Sequence, residues 1–461
     1  MERPDIVSKQ TAAQKKPGAR FLVDGNGTVF PVELLTDVVL LACGLDSNPS
    51  HSFDRRRNKF LRICKTWYQM LENDFRFWAT LLVDRHTTEH EMKLAVRRAR
   101  DNLLSLIVDM NGRPSPYVSF RQTFPSIVRP CLDFYSNHFG SITLLGHGPM
   151  NFTLVMDWMM KCETRTVTRV RFNVSSNLRG EHITFLDELL PNSSLKTYVT
   201  ENSLIVPPDY QLRSLSHLMF GPLVGPRSMR WATLFTILNL CANLTHLVLH
   251  EIILSDDVEN ISVFSRVCQL PLLTHMRVDG FEPTQNVTEM YALACTRTPN
   301  LRVLRVSGGE KHLDFVGCGL PETHNPTLRD VAVLSIGGEL KSSLVLLEML
   351  RTFPELRILD IRDAEGFSFE TLIEMRSLVQ GELCPKLTEV HVPVCFTKGD
   401  LVQFVGARPE GFFARECTVT CHWGLEDGVS SALETYALEM GSMVKKRYVY
   451  RPELELDMEL W

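Results

Sequence analysis

The chain has 461 residues, 44% hydrophobic and 22% charged, with a net charge of -5, an ordinary balance for a globular protein. That length exceeds what one compact core absorbs, so two domains or a repeat array is expected, and the negative balance excludes the uniform basic field that holds nucleic acid. No apolar run approaches the roughly 20 residues of a membrane span, and 12 cysteines without a C-x-x-C pair, behind a start at Met1 to Arg20 that lacks an apolar core, point to reduced thiols in a cytosolic and/or nuclear protein.

Residues 1–27 are expected to be a disordered arm, because Lys9, Lys15 and Lys16 among Gln, Thr, Ala and Pro leave little apolar area to bury. Pro31 suits a first helical turn, where its missing N–H is not needed, and Glu33 and Asp37 place acid near the positive end of that helix. Val32, Leu35 and Val39 form one apolar stripe and Leu34, Val38 and Leu41 another. A small module cannot hide both, so one is expected to face a partner. After a polar loop from Gly44 to Asn58, helical spacing resumes at Phe60, Ile63, Cys64, Trp67 and Leu71, and a third short segment runs from Phe75 to Leu82.

The order of residue types is informative here: Phe30-Pro31-x-Glu33-Leu34-Leu35, then Ile63-Cys64-Lys65-x-Trp67, then Asp74-x-x-x-Trp78. This series resembles the F-box, over about residues 28–82, with Phe30 in place of leucine and a long insertion from Gly44 to Asn58. The resemblance implies a three-helix module that docks on the Skp-type adaptor of a cullin-RING ubiquitin ligase. Pro31, Leu34, Leu35 and Val38 would match the adaptor-facing first helix, and Cys64, Trp67 and Trp78 the later apolar contacts.

Beyond residue 100 a phrase L-x-x-L-x-L recurs, with clear copies beginning at Leu215, Leu244, Leu273, Leu301, Leu328, Leu356 and Leu387, in steps of 29, 29, 28, 27, 28 and 31. Weaker copies begin at Leu103, Phe139, Val167 and Leu195. Helical stretches are expected between copies, at Trp231 to Cys241, Val263 to Cys268, Met290 to Cys295, Ser343 to Leu350 and Phe369 to Val379. Prolines 271, 299, 354 and 385 stop the chain before the next strand. The period and layout match a leucine-rich repeat of the longer, irregular kind. The expected class is therefore α/β, with the small N-terminal module followed by an irregular leucine-rich-repeat solenoid over 83–408, parallel strands on its concave face and helices on its convex face. Residues 409–461 are expected to be a cap and acidic tail.

Alternation along a strand sends the third, fifth and seventh positions of the phrase to the open face. The third column then reads His217, His246, His275, Val303, Asp330, Ile358 and Glu389, and the fifth Met219, Val248, Arg277, Arg305, Ala332, Asp360 and His391. His217, His246, His250, His275, Arg277, Arg305, Asp360 and Arg362 are the candidate target-binding residues. Stacked histidines could hold an acidic or phosphorylated segment or respond to mild acid. A solvated polar strand face is the plainer reading of any single one of them. Cys241, Cys268 and Cys295, 27 residues apart, suit buried helix ends better than a metal, and Cys417, Cys421 and His422 are too few for zinc.

No G-x-S-x-G, G-x-x-x-x-G-K-[ST] or H-E-x-x-H occurs. A non-catalytic chain without cofactor or metal is expected, namely a substrate receptor of an SCF-type ligase that holds an unidentified protein target. The alternative is an interaction protein or scaffold that delivers nothing for ubiquitination.

Overall fold

A computed structural model describes residues 21–23, 29–31, 38–39, 59–63, 65–100, 102–111, 119–147, 149–175, 183–221, 228–250, 253–255, 268–281, 296–308, 329–339, 350–361, 364–365, 384–392 and 418–421. They belong to two compact units, one of residues 1–81 and 90–104 and the other of residues 82–89 and 105–461. Of the expected helices, Met290 to Cys295, Phe369 to Val379 and residues 343–349 of Ser343 to Leu350 fall outside the described residues, as do Leu34, Leu35, Cys64, Arg362 and the tail after Cys421.

In the first unit Phe21–Val23 pairs antiparallel with Val29–Pro31, so part of the expected arm is a strand. Pro31 ends that strand, opposite Phe21, instead of opening a helix; proline keeps the extended backbone at a strand end, where its missing N–H breaks no ladder. Helix α1, Lys65–Asn73, does not run continuously from Phe60, because residues 62 and 63 form a turn and bend. Helix α2, Phe75–Trp78, starts at Asp74, whose carboxylate accepts from the Arg76 N–H at 2.9 Å. The core holds Val39, Leu71, Phe77 and Trp78, with Phe60 and Leu61 packed against it. Helix α3, Glu89–Ala99, adds Arg98, whose guanidinium lies 3.9 Å from the Trp78 ring centre and bonds Glu72 at 3.1 Å. The first unit therefore extends past residue 82. Residues 80–82 are not helical either: Thr80–Val83 is strand β1, within which the first unit ends and the second begins.

The second unit is built on one sheet whose strands follow in chain order: β2 Leu104–Asp109, β3 Phe139–His147, β4 Arg169–Ser175, β5 Thr197–Glu201, β6 His217–Phe220, β7 His246–His250, β8 His275–Phe281, β9 Val303–Gly308, β10 Val333–Glu339, β11 Ile358–Asp360, β12 Glu389–Val392 and β13 Thr418–Cys421. Every pairing from β3 to β13 is parallel. Parallel neighbours need a crossover each time, which is why the phrase recurs at intervals near 29 residues. The first, fourth and sixth positions form the core, as in Leu244, Leu247 and Leu249, or Leu301, Leu304 and Val306, all at most 2% exposed. Burying such a leucine contributes about 2 kcal/mol.

The register corrects the fifth clear copy. Val303 pairs with Val333, so the buried phrase is Val331, Leu334 and Ile336, three residues later than one beginning at Leu328. Val333 and Ser335 therefore stand in the third and fifth columns instead of Asp330 and Ala332. Of the described return segments, Trp231–Leu240 is helix α4, with Leu234, Phe235, Ile237 and Leu238 inward. Cys268, expected at a helix end, lies with Gln269 in a short strand parallel to Thr296–Arg297; the rest of that expected helix, residues 263–267, lies outside the described residues. Cys241 and Cys268 are fully buried. No described helix is long and apolar enough to cross a membrane.

Candidate functional site

The candidates of the first unit separate into buried and exposed residues. Trp78 is a core residue, 4% exposed, with its indole N–H donated to the Leu71 carbonyl at 3.0 Å; a tryptophan so enclosed supports a surface without touching a partner. Trp67 lies in α1. Val38 is 59% exposed beside a fully buried Val39, and Ile63 and Phe75 are exposed as well. Of the two expected stripes, the described members are Val38, which faces solvent, and Val39, which is spent on the core.

In the second unit, His217, His246 and His275 occupy the third position of their phrases, the first residue of β6, β7 and β8, and pair in register. Their rings stack, with centres 4.3 Å apart and planes inclined by 11° and 7°. Each is preceded by a hydroxyl in the tripeptides Leu215-Ser216-His217, Leu244-Thr245-His246 and Leu273-Thr274-His275. Each hydroxyl lies 2.8 to 2.9 Å from the Nδ1 of the histidine after it. The same hydroxyls lie 2.9 to 3.2 Å from a carbonyl of the preceding repeat: Ser216 from Lys196, Thr245 from Ser216, and Thr274 from Thr245. A carbonyl cannot donate, so a hydroxyl that bonds both partners gives its proton to the carbonyl, which also accepts two backbone N–H groups, and accepts from Nδ1–H. This arrangement favours the Nδ1–H tautomer for all three imidazoles, with the lone pair on Nε2.

Electrostatics keeps them neutral. Burial, then the charge of Arg169, lowers the pKa of His217. Burial, then its two stacked neighbours, lowers that of His246 to about 3, and burial, then His217, lowers that of His275. Beside the ladder the fifth column passes from Arg171 into a buried apolar strip, Val199, Met219 and Val248, each at most 2% exposed. It continues as Arg277 and Arg305, then the buried Ser335, Asp360 and His391. Asp360, at 2% exposure, is not presented to a partner.

The seventh column carries the carboxylates. Glu201, 5% exposed, accepts from the Arg171 Nε and Nη2 at 2.8 to 3.1 Å. Gly221, the residue after β6, leaves the room this needs, since a Cβ there would stand 2.6 Å from the Glu201 Cγ. Asp279 lies against the Arg277 Nε, 3.5 Å from the His250 Nδ1 and 3.8 Å from the Arg305 Nε. Burial pushes its carboxyl up, but His250, Arg277 and Arg305 outweigh that and hold it below the usual aspartate range.

The structure thus brings His217, His246, His250, His275, Arg277 and Arg305 onto one face. Arg169, Arg171 and Glu201, which belong to the same face, lie outside the candidate set; counting two residues on from Val167 finds Arg169, and two further finds Arg171. Among the described residues no group of three or more His, Cys, Asp or Glu could hold a metal ion.

No family model matches the chain, and no curated protein matches it. Among solved structures, one of a Bacteroides fragilis protein is similar over 60% of this chain, with 11% identity and a TM-score of 0.29; the match spans 65% of that protein's length.

Proposed function

We propose that the chain is a substrate-receptor subunit of an SCF-type cullin-RING ubiquitin ligase: the N-terminal unit is an F-box that docks on a Skp-type adaptor, and the second unit is a leucine-rich-repeat solenoid that holds a protein target on its strand face. The observation supporting docking is the split between Val38 and Val39. Val39 is spent on the core with Leu71, Phe77 and Trp78, while Val38, Ile63 and Phe75 stay exposed, and exposed apolar side chains favour a protein partner. Target holding is supported by the parallel pairing of every strand from β3 to β13, which sets the third and fifth positions of the repeats on one side. Chemistry resides in the partners, and this chain contributes proximity, raising the effective concentration of the target's lysines at the charged ubiquitin carrier.

Co-expression with a Skp-type adaptor tests the reading. The wild type co-purifies with the adaptor, and Val38→Asp with Ile63→Asp, both at exposed positions, abolishes capture without unfolding the chain. A folded wild type that captures no adaptor leaves an adaptor-independent binding protein. Capture of adaptor and target without ubiquitin transfer to the target points to assembly instead of ligase delivery.

A further inference from the structure

Arg169 is the third-position residue of β4, between Ser141 of β3 and Thr197 of β5. It is half-buried, and among the described residues its guanidinium has neither a hydrogen bond nor an ion pair. The hydroxyls of Thr197 and of Thr143, which stands beside Arg171 on β3, are likewise unbonded among the described residues. Arg171 gives its Nε and Nη2 to Glu201 and leaves its Nη1 unused. Ser141, on the far side of Arg169, turns its proton away to the Ser105 hydroxyl at 2.9 Å. Donors thus gather on β3 to β5 with no acceptor to take them up.

Burial, then the like charge of Arg171, acts against the Arg169 cation, and no carboxylate among the described residues offsets them. Of the carboxylates on this face, Glu201 is committed to Arg171, and the buried Asp109 of β2 accepts from the Asn111 N–H. Asp279, Asp360 and Glu389 stand on β8, β11 and β12, four, seven and eight strands from β4. At strand spacing the nearest of them is about 19 Å from Arg169, well past the roughly 8 Å over which salt leaves two charges in touch. A desolvated cation without a counterion is costly unless something supplies one.

Arg169 and Arg171 are two residues apart on one strand, about 6.6 Å, so their open N–H groups can reach one anion between them. Thr197 stands on the strand beside the first and Thr143 on the strand beside the second. A carboxylate offers two oxygens and one charge to these four donor groups. A phosphoryl group offers three oxygens and a charge of about -2, which suits two guanidinium groups of which one is already half spent. We propose that Arg169, with the Arg171 Nη1 and the Thr143 and Thr197 hydroxyls around it, forms a binding site for a phosphomonoester, as carried by a phosphorylated serine or by a small phosphorylated molecule.

The site needs neither the histidine ladder nor Arg277 and Arg305, and it holds whether or not the chain serves a ligase. Its division of labour follows from the side chains. The planar Arg169 fork takes two phosphoryl oxygens with charge-assisted bonds, the Arg171 Nη1 is placed for the third, and the threonines donate from either flank. A single open guanidinium beside a partly used one matches one phosphoryl group. A polyanion such as nucleic acid needs a run of such cations, which a chain with a net charge of -5 does not favour.

The experiment is fluorescence anisotropy of the full chain with a labelled Gly-Ala peptide bearing one central phosphoserine, beside the same peptide with serine or glutamate in that place. The wild type binds the phosphopeptide about tenfold or more tightly than either control. Arg169→Gln weakens that binding about tenfold or more, Thr197→Val weakens it about threefold to tenfold, and Arg169→Lys, which keeps the charge and loses the fork, falls between wild type and Arg169→Gln. Arg213→Gln, an exposed position away from the site, changes nothing. Competition separates the two sources, and either result supports the site: O-phosphoserine displacing the label as readily as unlabelled phosphopeptide indicates a small phosphorylated molecule, and a clear advantage of the phosphopeptide indicates a phosphorylated protein. In urea denaturation without ligand, Arg169→Gln is at least as stable as the wild type, because it removes a cation that nothing in the chain compensates. A less stable or unfolded Arg169→Gln assigns the guanidinium to the fold and overturns the proposal. So does a wild type that binds the serine or glutamate peptide as well as the phosphopeptide, a folded Arg169→Gln that binds as the wild type does, or binding confined to a uridine oligonucleotide. The assay needs no adaptor, so failed adaptor capture leaves its result standing, and a failed phosphopeptide leaves adaptor docking untouched.

Discussion

The third and seventh columns of one sheet meet the same problem in opposite ways. Both set polar, ionisable side chains side by side at strand spacing. In the seventh column each carboxylate has an arginine: Glu201 takes Arg171, and Asp279 lies among Arg277, Arg305 and His250. In the third column three identical histidines stack on one another, each against a hydroxyl, and burial holds them neutral. A repeat that reproduces one residue type cannot supply its own counterions, so it settles in the uncharged form, whereas a column that mixes signs stores charge. The two columns should therefore fail under different insults.

The largest effect is expected where a buried charge loses its partner. Arg171→Ala strands Glu201 at 5% exposure and should cost about 3–5 kcal/mol in urea denaturation. Replacing both partners, Arg171→Met with Glu201→Leu, should recover most of that loss, because the desolvation of both ions disappears together. A single and a double variant equally unstable would show that shape, not charge, sets the seventh column.

Acid separates the columns next. The unfolded chain protonates its histidines near pH 6.5, while the folded ladder takes up protons only at lower pH, down to about 3 for His246. Below pH 6.5 the unfolded state therefore binds more protons, and stability falls as pH falls. Asp279 has its folded pKa depressed below 3.8; its contribution is complete above that value and is lost only as pH drops beneath it. The decline from pH 6.5 to 4 thus belongs to the histidines, at about 1 kcal/mol or less per pH unit for all three, since the rings are half-buried and solvent screens them. His246→Gln should flatten that part of the profile and leave the loss below pH 4 in place. A profile level down to pH 4 in the wild type would mean the ladder is already charged.

How much of this is legible without coordinates differs by column. The leucine positions declare the core, and alternation then places His217, His246 and His275 together, because the period of two along a strand admits no other face. A pattern keyed to leucine misplaces β10, whose buried phrase opens with Val331; Leu328, Val331 and Val333 satisfy the same spacing three residues early, and hydrophobicity alone does not choose between them. Ion pairing is less visible still. Glu201 and Arg171 are 30 residues apart in the chain, and their meeting depends on Gly221 leaving room in a third repeat. In the first unit, apolar spacing identifies Val38 and Val39 but not which is outward, and Trp78 reads as a contact residue until Leu71 and Arg98 enclose it.

The hydroxyl before each histidine is plain in the sequence as Leu-[Ser/Thr]-His, yet its role depends on a carbonyl of the preceding repeat, 20 residues back for Ser216 and 29 for Thr245 and Thr274. Thr245→Val isolates that role. Valine keeps the shape, and the Ser216 carbonyl retains the backbone N–H groups of Thr245 and His246, so the carbonyl loses little. His246 loses the acceptor of its Nδ1–H, which should cost about 1 kcal/mol and, more tellingly, release the ring to either tautomer. Imidazole 15N spectra of the wild type should show Nδ1–H with an unprotonated Nε2 at neutral pH, and the variant should show a mixture. If the variant's spectrum is unchanged, stacking between His217 and His275 fixes the proton on its own; if the wild type already shows Nε2–H, the hydroxyl donates to the ring, and the lone pairs of the ladder do not face the open side.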